Sequence, residues 1–178
     1  MKVGLILLII LSAVLMFGTT VCASEDPAYC ATAVMKDAKG NIVGRATFTE
    51  DASGLVHIKV NVKCLTPGLH GIHIHNAGNC TGPDFTSAGG HYNPLEKEHG
   101  LKNPEGPHAG DLPNLKVGRN GRGCMNVTTD RVTLSPGPTT LFTANGTALV
   151  IHADPDDQMT DPTGNSGKRV VCGVIEKK

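Results

Sequence analysis

The segment 71–111 carries five of the eight histidines in this sequence, together with a carboxylate that could join them in binding a metal ion. Alternate residues of a β-strand point to the same face, so His73 and His75 in Gly-Ile-His-Ile-His project side by side. Two imidazoles on a rigid strand supply half of a transition-metal site. The other donors lie among glycines and prolines, in loops that can fold back toward the strand. This ordered set predicts a metal site rather than a histidine-bearing loop. The donors are His73, His75, His91, His99, His108 and Asp111.

The elements that must position these donors are predicted to be short β-strands. Residues 56–63 alternate between apolar and polar side chains, which is typical of a strand with one buried and one wet face. His57 falls on the wet face and is interpreted as a surface histidine, whereas His70 is interpreted as a hydrogen-bonded structural one. Without helical periodicity, the chain is expected to be all-β: an antiparallel, eight-stranded sandwich or flattened barrel. The candidate strands are 29–35, 42–50, 56–63, 69–75, 111–117, 124–129, 147–152 and 170–175.

The first 23 residues have the composition of a secretory signal peptide. A short positive start is followed by an apolar run over 3–17 and by small residues that favour cleavage before Ser24. A lipid anchor on Cys22 is an alternative, although Val21 fits the usual lipoprotein signal poorly. One domain, residues 24–178, would remain. The expected location is therefore secreted or extracellular, or periplasmic or cell-envelope if the source is bacterial.

The overall composition argues against two classes of partner. Lysine and arginine number 16 and aspartate and glutamate 16, a formal net charge of zero. Such a balance suggests neither a nucleic-acid nor a membrane-surface partner. The chain is rich in glycine and has no tryptophan. Beyond the N-terminal apolar run, no stretch is a candidate for a membrane span.

The cysteines of an exported chain are first considered as disulfide partners. Five remain after residue 23, so at least one is free or bonds outside the chain. None forms a close Cys-x-x-Cys pair, which argues against a structural zinc–thiolate site. Three Asn-x-Thr patterns begin at Asn79, Asn126 and Asn145, and they matter only in a host that glycosylates. The five cysteines are Cys30, Cys64, Cys80, Cys124 and Cys172.

Several motifs resemble the copper/zinc superoxide dismutase family. Residues 71–80, Gly-x-His-x-His-x-x-Gly-x-Cys, are similar to the family's copper-ligand signature. Residues 90–111 are similar to its zinc loop in the order and spacing of histidines and aspartate. His152 at a predicted strand end and the stretch 167–175 resemble the C-terminal half. The resemblance covers about 31–175, and it implies a Greek-key β-sandwich, an architecture for which this family is a standard example.

The resemblance implies a division of the donors between two metals. Four nitrogens suit copper, which must cycle between two oxidation states. Three nitrogens and a carboxylate suit a closed tetrahedral zinc. The implied copper ligands are His73, His75, His91 and His152. The implied zinc ligands are His91, His99, His108 and Asp111, so that His91 bridges the two ions.

The family also implies an activity and further roles. Two superoxide ions and two protons would become oxygen and hydrogen peroxide as copper is alternately reduced and oxidised, with His91 delivering a proton. Arg169 matches the family's anion-guiding arginine. Asp156 matches its aspartate that bonds one ligand histidine of each metal. The implied substrate is the superoxide anion and the cofactors are copper and zinc.

The resemblance also bears on the cysteines. Cys80 and Cys172 match the family's intrachain disulfide. Cys64 and Cys124 have no family counterpart, but a second bridge between them is a hypothesis if their strands are neighbours. Cys30 would then be unpaired.

Two departures and two alternatives remain open. The segment 76–79 is short, trimming a loop that usually contributes to a dimer interface, so a homodimer is one possible assembly among others. The loop 153–171 is also short, and it normally carries charges that guide the substrate. A dismutase-like module that binds or donates metal is an alternative to an enzyme. A zinc hydrolase is disfavoured, because no His-Glu-x-x-His helix is found and the zinc set is already full.

Overall fold

The structure, a computed structural model, describes residues 29–178 and is built from antiparallel β-strands. The signal peptide predicted over 1–23 lies outside the described residues. Nine strands and one short 3-10 helix, Thr86–Ala88, make up the regular structure of the described part. The strands are β1 (Tyr29–Asp37), β2 (Ile42–Glu50), β3 (Val56–Val62), β4 (Gly68–His70), β5 (Ile72–His75), β6 (Leu115–Val117), β7 (Gly123–Thr129), β8 (Ala148–His152) and β9 (Arg169–Lys177).

The nine strands form one sheet in the order β4-β6-β7-β3-β2-β1-β9-β8-β5. The two edge strands, β4 and β5, are consecutive in the chain and are separated by Gly71 alone. Because one residue cannot span an open sheet, the sheet must curve until its edges meet. The connection from β3 to β4 also passes β7 and β6, a Greek-key crossing. The all-β flattened barrel expected from the sequence is confirmed.

The strand count differs from the predicted eight for a local reason. The expected strand 69–75 is divided at Gly71, whose N–H donates to the Asp154 carbonyl at 2.8 Å instead of continuing one ladder. The expected strand 111–117 begins only at Leu115, and Asp111 forms an isolated bridge with His73. Both differences lie where the chain leaves regular pairing to reach the donor side chains.

The interior of the barrel follows the alternation predicted for β3. Its apolar residues, every second one along Val56–Val62, are all buried, and the residues between them are exposed. Pairing then places β3 between β2 and β7, so that the same side of three strands faces the core.

His57 lies on the outer face of β3, where Nε2 donates to Asp51 Oδ2 at 2.7 Å. The interpretation of His57 as a surface histidine is confirmed.

A buried carboxylate, Glu50, fastens the end of β2 to the loop after β7. It accepts hydrogen bonds from the N–H groups of Leu134 and Ser135 and, at 2.6 Å, from the Ser135 hydroxyl. Burial acts to raise the pKa of Glu50, but these hydrogen bonds outweigh it and the pKa lies below its ordinary value of 4.5. The carboxylate form therefore stabilises the fold at neutral pH, and the contribution is lost as pH falls below 4.5.

We expect Glu50→Gln to lower the free energy of unfolding by about 1–3 kcal/mol at pH 7, because all three hydrogen bonds lose their charged acceptor and at least one donor loses its acceptor altogether. Urea unfolding of wild type and variant measures the difference. Glu105→Gln, at an exposed site, is the matched control. The difference should shrink below pH 4.5, and a constant difference across that range would contradict this role.

One disulfide, Cys80–Cys172, joins the segment after β5 to β9, with a Cα–Cα separation of 5.6 Å. The bridge that the family resemblance implied is thus present. Cys172 is fully buried in a small apolar cluster, whereas Cys80 is partly exposed.

The hypothetical second bridge between Cys64 and Cys124 is not formed; both are free and exposed within residues 29–178, and Cys30 is also free. The strands are neighbours as supposed, but Cys124 pairs with Asn61, three residues before Cys64. Cys64 itself lies beyond the end of β3 at Val62, with a left-handed backbone (φ 63°), so it is not opposite Cys124. Disulfides need Cα atoms within about 7 Å of each other. The strand register therefore keeps the two thiols apart.

Candidate metal centre

Strand β5 bears the first two donors, His73 and His75, and its backbone is hydrogen-bonded on both sides. On one side it is hydrogen-bonded to β8, with His73 opposite Val150. On its other side the loop takes the place of a strand, because Ile74 N–H donates to the Gly110 carbonyl at 2.9 Å and Tyr92 N–H donates to the Ile74 carbonyl at 2.8 Å. Both sides of β5 are therefore fixed, and the histidine-rich loop is pinned against it.

Four buried imidazoles form the first donor group. One ligand atom from each lies within 4.8 Å of those from the other three. Each ring has one buried nitrogen with no hydrogen-bond partner among the described residues, and burying a polar atom in that way is costly unless something binds it. The four atoms are His73 Nδ1, His75 Nε2, His91 Nε2 and His152 Nε2. An all-nitrogen set of this kind fits copper.

The second donor group surrounds a carboxylate oxygen, Asp111 Oδ1. The Nδ1 atoms of His91 and His99 both lie 3.1 Å from it, and Nδ1 of His108 lies 3.5 Å away. The Nδ1 atoms of His108 and His91 are 3.4 Å apart. Ligands about 2.0–2.1 Å from a tetrahedral zinc are separated by about 3.3–3.4 Å. These four donors therefore have the spacing of a closed zinc site.

Proximity alone would place His73 rather than His108 in the second group. The hydrogen bonds instead assign His73 to the first group and His108 to the second. His73 Nε2 donates to Asp156 Oδ2 at 2.7 Å, which leaves only Nδ1, the atom of the first group. His108 Nδ1, in contrast, faces the other members of the second group. His91 belongs to both, since Nδ1 lies in the second group and Nε2 in the first.

Asp156 connects the two donor groups by contacting the ring nitrogens that face away from them. One oxygen accepts from His73 Nε2 at 2.7 Å, and the other accepts from His99 Nε2 at 3.0 Å. Each bond holds a proton on Nε2, so Nδ1 is the nitrogen that each ring can offer to a metal. Gly164, at φ +60°, passes so close that a Cβ there would lie 1.8 Å from Asp156 Oδ1. Only glycine fits at this position.

Backbone carbonyls orient the remaining members of the first group. His75 Nδ1 donates to the Gly89 carbonyl at 2.9 Å, and His152 Nδ1 donates to the Gly167 carbonyl at 3.2 Å. The guanidinium of Arg169 donates to the same Gly89 carbonyl at 2.6 Å and to the Phe85 carbonyl at 2.7 Å. Arg169 is therefore held at a fixed distance from the first donor group.

His70 is outside both groups, as predicted. Its Nδ1 lies 2.7 Å from the His152 carbonyl and its Nε2 lies 2.9 Å from the Thr66 carbonyl. These contacts tie β4 to the end of β8 and support the backbone of a donor residue without offering a ligand atom.

Burial keeps the first group neutral. It lowers the pKa of His91 to about 4 and that of His152 to about 3, and it also holds the pKa values of His73 and His75 below the ordinary 6.5. Metal ligands must be unprotonated imidazoles. At neutral pH these four nitrogens are therefore ready to bind a cation without losing protons.

The second group has the opposite electrostatic character. Burial acts to lower the pKa of His99, but hydrogen bonds to Asp111 and Asp156 raise it to about 9. Burial acts to raise the pKa values of both carboxyls, and hydrogen bonds from histidines hold them well below their usual range. A buried anionic pair beside a protonated ring favours a divalent cation, which would displace the proton from His99 on binding.

An open surface cleft lies beside this centre. Its volume is about 550 Å³, and it is lined by Pro83, Asp84, Thr86, Gly167, Lys168 and Arg169. Two of these residues contact the donors or their partners: the Gly167 carbonyl accepts from His152 Nδ1, and Arg169 donates to the Gly89 carbonyl. The cleft therefore adjoins the first donor group through Gly167 and Arg169, and Arg169 supplies a positive charge there.

Comparison with known proteins agrees with this geometry. The family model described as copper/zinc superoxide dismutase matches residues 42–175. This chain belongs to the copper/zinc superoxide dismutase family. It is 48% identical over 147 residues to "Superoxide dismutase [Cu-Zn] 2" of Aquifex aeolicus, covering 82% of this chain and 85% of that protein. It is 42% identical over 139 residues to "Superoxide dismutase-like protein YojM" of Bacillus subtilis, covering 77% of this chain and 71% of that protein.

Solved structures of the family have the same fold. The chain superposes on a crystal structure of a superoxide dismutase-like protein from Bacillus subtilis with a TM-score of 0.79 at 40% identity, covering 83% of this chain and 99% of that one. A double mutant of a superoxide dismutase-like protein from Bacillus subtilis superposes with a TM-score of 0.78 at 42% identity, covering 80% of this chain and 95% of that one. Copper and zinc are accordingly the cofactors of this family, and the two donor groups fit them.

Sequence reasoning missed two contributors to the centre. The Gly89 carbonyl, which holds both His75 and Arg169, carries no side-chain signature. Asp161 accepts a hydrogen bond from the His99 N–H at 2.7 Å, but an Asp-Pro pair in a polar loop resembles an ordinary turn. Both contacts join segments that are distant in sequence, so no local pattern could have indicated them.

We expect Asp156→Asn to weaken the binding of both metals by about 10–100-fold, the usual effect of removing such a partner. The amide nitrogen of asparagine cannot accept from His73 or His99, so one ring must rotate or change tautomer. Chelator competition measures each affinity. Glu176→Gln, on the outside of β9, removes an equal charge and should bind both metals like wild type. Loss of one metal alone would contradict the bridging role.

Proposed function

We propose that this protein is an exported superoxide dismutase with copper in the first donor group and zinc in the second. The observation that carries the proposal is the set of four buried, unpartnered imidazole nitrogens beside an arginine-lined cleft. Copper would be held by His73, His75, His91 and His152, and zinc by His91, His99, His108 and Asp111. Dismutation of two superoxide ions and two protons to oxygen and hydrogen peroxide is the activity that this arrangement supports best.

The chain's own residues have distinct parts in this proposal. When bound, copper supplies reversible one-electron chemistry and zinc supplies a fixed positive charge. Arg169 attracts the substrate anion to the cleft and orients it. His91 can hold a proton at Nε2 while Nδ1 stays with the second group, so it is placed to deliver that proton to a reduced substrate. Asp156 holds one histidine of each donor group, His73 and His99, in a fixed orientation.

We expect Arg169→Gln to reduce kcat/KM for superoxide by about tenfold, the low end of electrostatic steering, for which superoxide dismutases are a standard example. Stopped-flow decay of superoxide at several ionic strengths measures the effect. The variant should also lose much of the salt dependence, because the attracting charge is gone. Arg169→Lys keeps the positive charge but loses the planar guanidinium that can donate two parallel hydrogen bonds, so its kcat/KM should lie between those of wild type and Arg169→Gln. An unchanged rate in Arg169→Gln would remove the residue from the mechanism.

The proposal of export is supported by the apolar run over 3–17 and by the Cys80–Cys172 disulfide, which persists in oxidising compartments. Within residues 29–178 no helix is long and apolar enough to cross a membrane. Intact-mass analysis of the protein from the native host should find Ser24 at the N-terminus, outside the cytoplasm. A lipid-modified Cys22 would indicate an anchored form, and a cytoplasmic chain that begins at Met1 would refute export.

A further inference from the structure

The outer side of His108 faces a carboxylate that no motif assigns. Nδ1 of His108 points into the second donor group, and Nε2 points away from it toward Asp161 Oδ1 at 3.7 Å. The His108 side chain is 7% exposed, so this nitrogen lies at the edge of the protein interior. Within residues 29–178, Asp161 is the one carboxylate at ion-pair distance from His108 Nε2.

The same oxygen of Asp161 also holds the backbone of a second donor. It accepts the hydrogen bond from the His99 N–H at 2.7 Å. His99 Nε2 is already bound to Asp156 Oδ1 at 3.0 Å. The two imidazoles that belong only to the second group therefore each have a carboxylate behind them, Asp156 for His99 and Asp161 for His108. Asp156 accepts a hydrogen bond and so fixes the tautomer of His99. Asp161, at 3.7 Å, lies beyond hydrogen-bond distance from His108 Nε2 and acts on that ring through its negative charge.

One loop supplies both carboxylates. Asp156 and Asp161 lie between β8 and β9, in the segment 153–168. The loop is itself ordered by hydrogen bonds, among them Gly164 N–H to the Thr160 carbonyl at 2.7 Å and Asp157 N–H to the Gly164 carbonyl at 2.9 Å. Asp161 is thus presented from a structured turn, although its own side chain is 48% exposed.

We propose that Asp161 is a positioning residue for the zinc site, acting through His108 and the backbone of His99. It sets zinc affinity without touching the copper donors, in contrast to Asp156, which serves both groups. A zinc-bound imidazole carries more positive charge at its Nε2–H than a free one, so the negative charge of the carboxylate facing Nε2 stabilises the loaded form more than the empty one. This inference rests on the zinc assignment in the proposed function.

Two variants of the purified protein separate the charge from the backbone hydrogen bond. Asp161→Asn keeps an oxygen that can accept from the His99 N–H but removes the negative charge opposite His108. Asp161→Ala removes both. We expect zinc affinity, measured by chelator competition, to fall by about tenfold in Asp161→Asn and further in Asp161→Ala. Copper affinity should stay at the wild-type value. Glu105→Gln removes an exposed charge from the same zinc loop and is the matched control.

A spectroscopic readout distinguishes positioning from a general loss of folding. Co²⁺ in the zinc site reports ligand geometry through its visible absorption bands. These bands should change in both Asp161 variants and not in Glu105→Gln, while the thermal midpoint of metal-free Asp161→Asn should equal that of wild type. Wild-type zinc affinity and an unchanged cobalt spectrum in Asp161→Asn would overturn the inference and leave the proposed function intact. Equal loss of copper and zinc would also overturn it. Failure of the wild-type protein to bind zinc would refute both.

Discussion

Replacing His152 with alanine is expected to abolish dismutation by removing copper while zinc stays bound. The first donor group would fall to three imidazoles. Loss of an outer partner alone costs about 10–100-fold in metal affinity, so loss of a ligand should cost more than about 100-fold. Copper and zinc content after dialysis, with the superoxide decay rate, measures both effects.

The chain offers a matched control for this variant. His57 is also a histidine on a strand of the same sheet, but it lies on the outer face and pairs with Asp51. His57→Ala should retain copper, zinc and activity. Full activity in His152→Ala, or equal loss of copper in His57→Ala, would contradict the assignment of the first group.

Removing the disulfide is expected to have the largest effect on stability. Cys80 and Cys172 are 92 residues apart, and closing a loop of that length contributes about 4–5 kcal/mol in the chain-entropy model. The double variant Cys80→Ala/Cys172→Ala avoids placing a hydroxyl in the apolar cluster around Cys172. Urea unfolding of the metal-free protein should show a decrease of this size.

The disulfide should also support the copper site indirectly. It restrains the segment that ends at Gly89, whose carbonyl orients His75 and Arg169. We therefore expect weaker copper binding in the double variant as well as lower stability. Cys124→Ala, which removes an exposed free thiol, is the control and should change neither property. A double variant as stable as wild type would show that the bridge does not constrain the unfolded chain.

Much of the centre could be predicted because its donors are encoded by short-range patterns. The pair His73 and His75 follows from the two-residue period of a strand. His91, His99 and His108 are predicted as donors because they lie with His73 and His75 in one short segment rich in glycine and proline, and the family resemblance implies how the donors divide between two metals. The alternation over 56–63 was sufficient to place β3, since a half-buried strand has a characteristic pattern of side chains.

The parts that escaped prediction depend on contacts between distant segments. Register between β3 and β7 separates Cys64 from Cys124, and a single sequence does not determine register that finely. Gly71 divides one expected strand because the chain must pass from one sheet edge to the other there. Asp161 reaches His99 and His108 only after two loops have folded together. Such contacts are fixed by tertiary structure and leave no local signal.

The most direct test of the central claim is metal content and dismutation rate measured on the same sample. The protein, purified without residues 1–23 and reconstituted with both metals, should contain one copper and one zinc per chain. Its rate constant should approach the diffusional ceiling of about 10⁸–10⁹ M⁻¹s⁻¹, which superoxide dismutases are known to reach. Full zinc with negligible copper and no turnover would contradict the account and indicate a zinc-stabilised binding module instead.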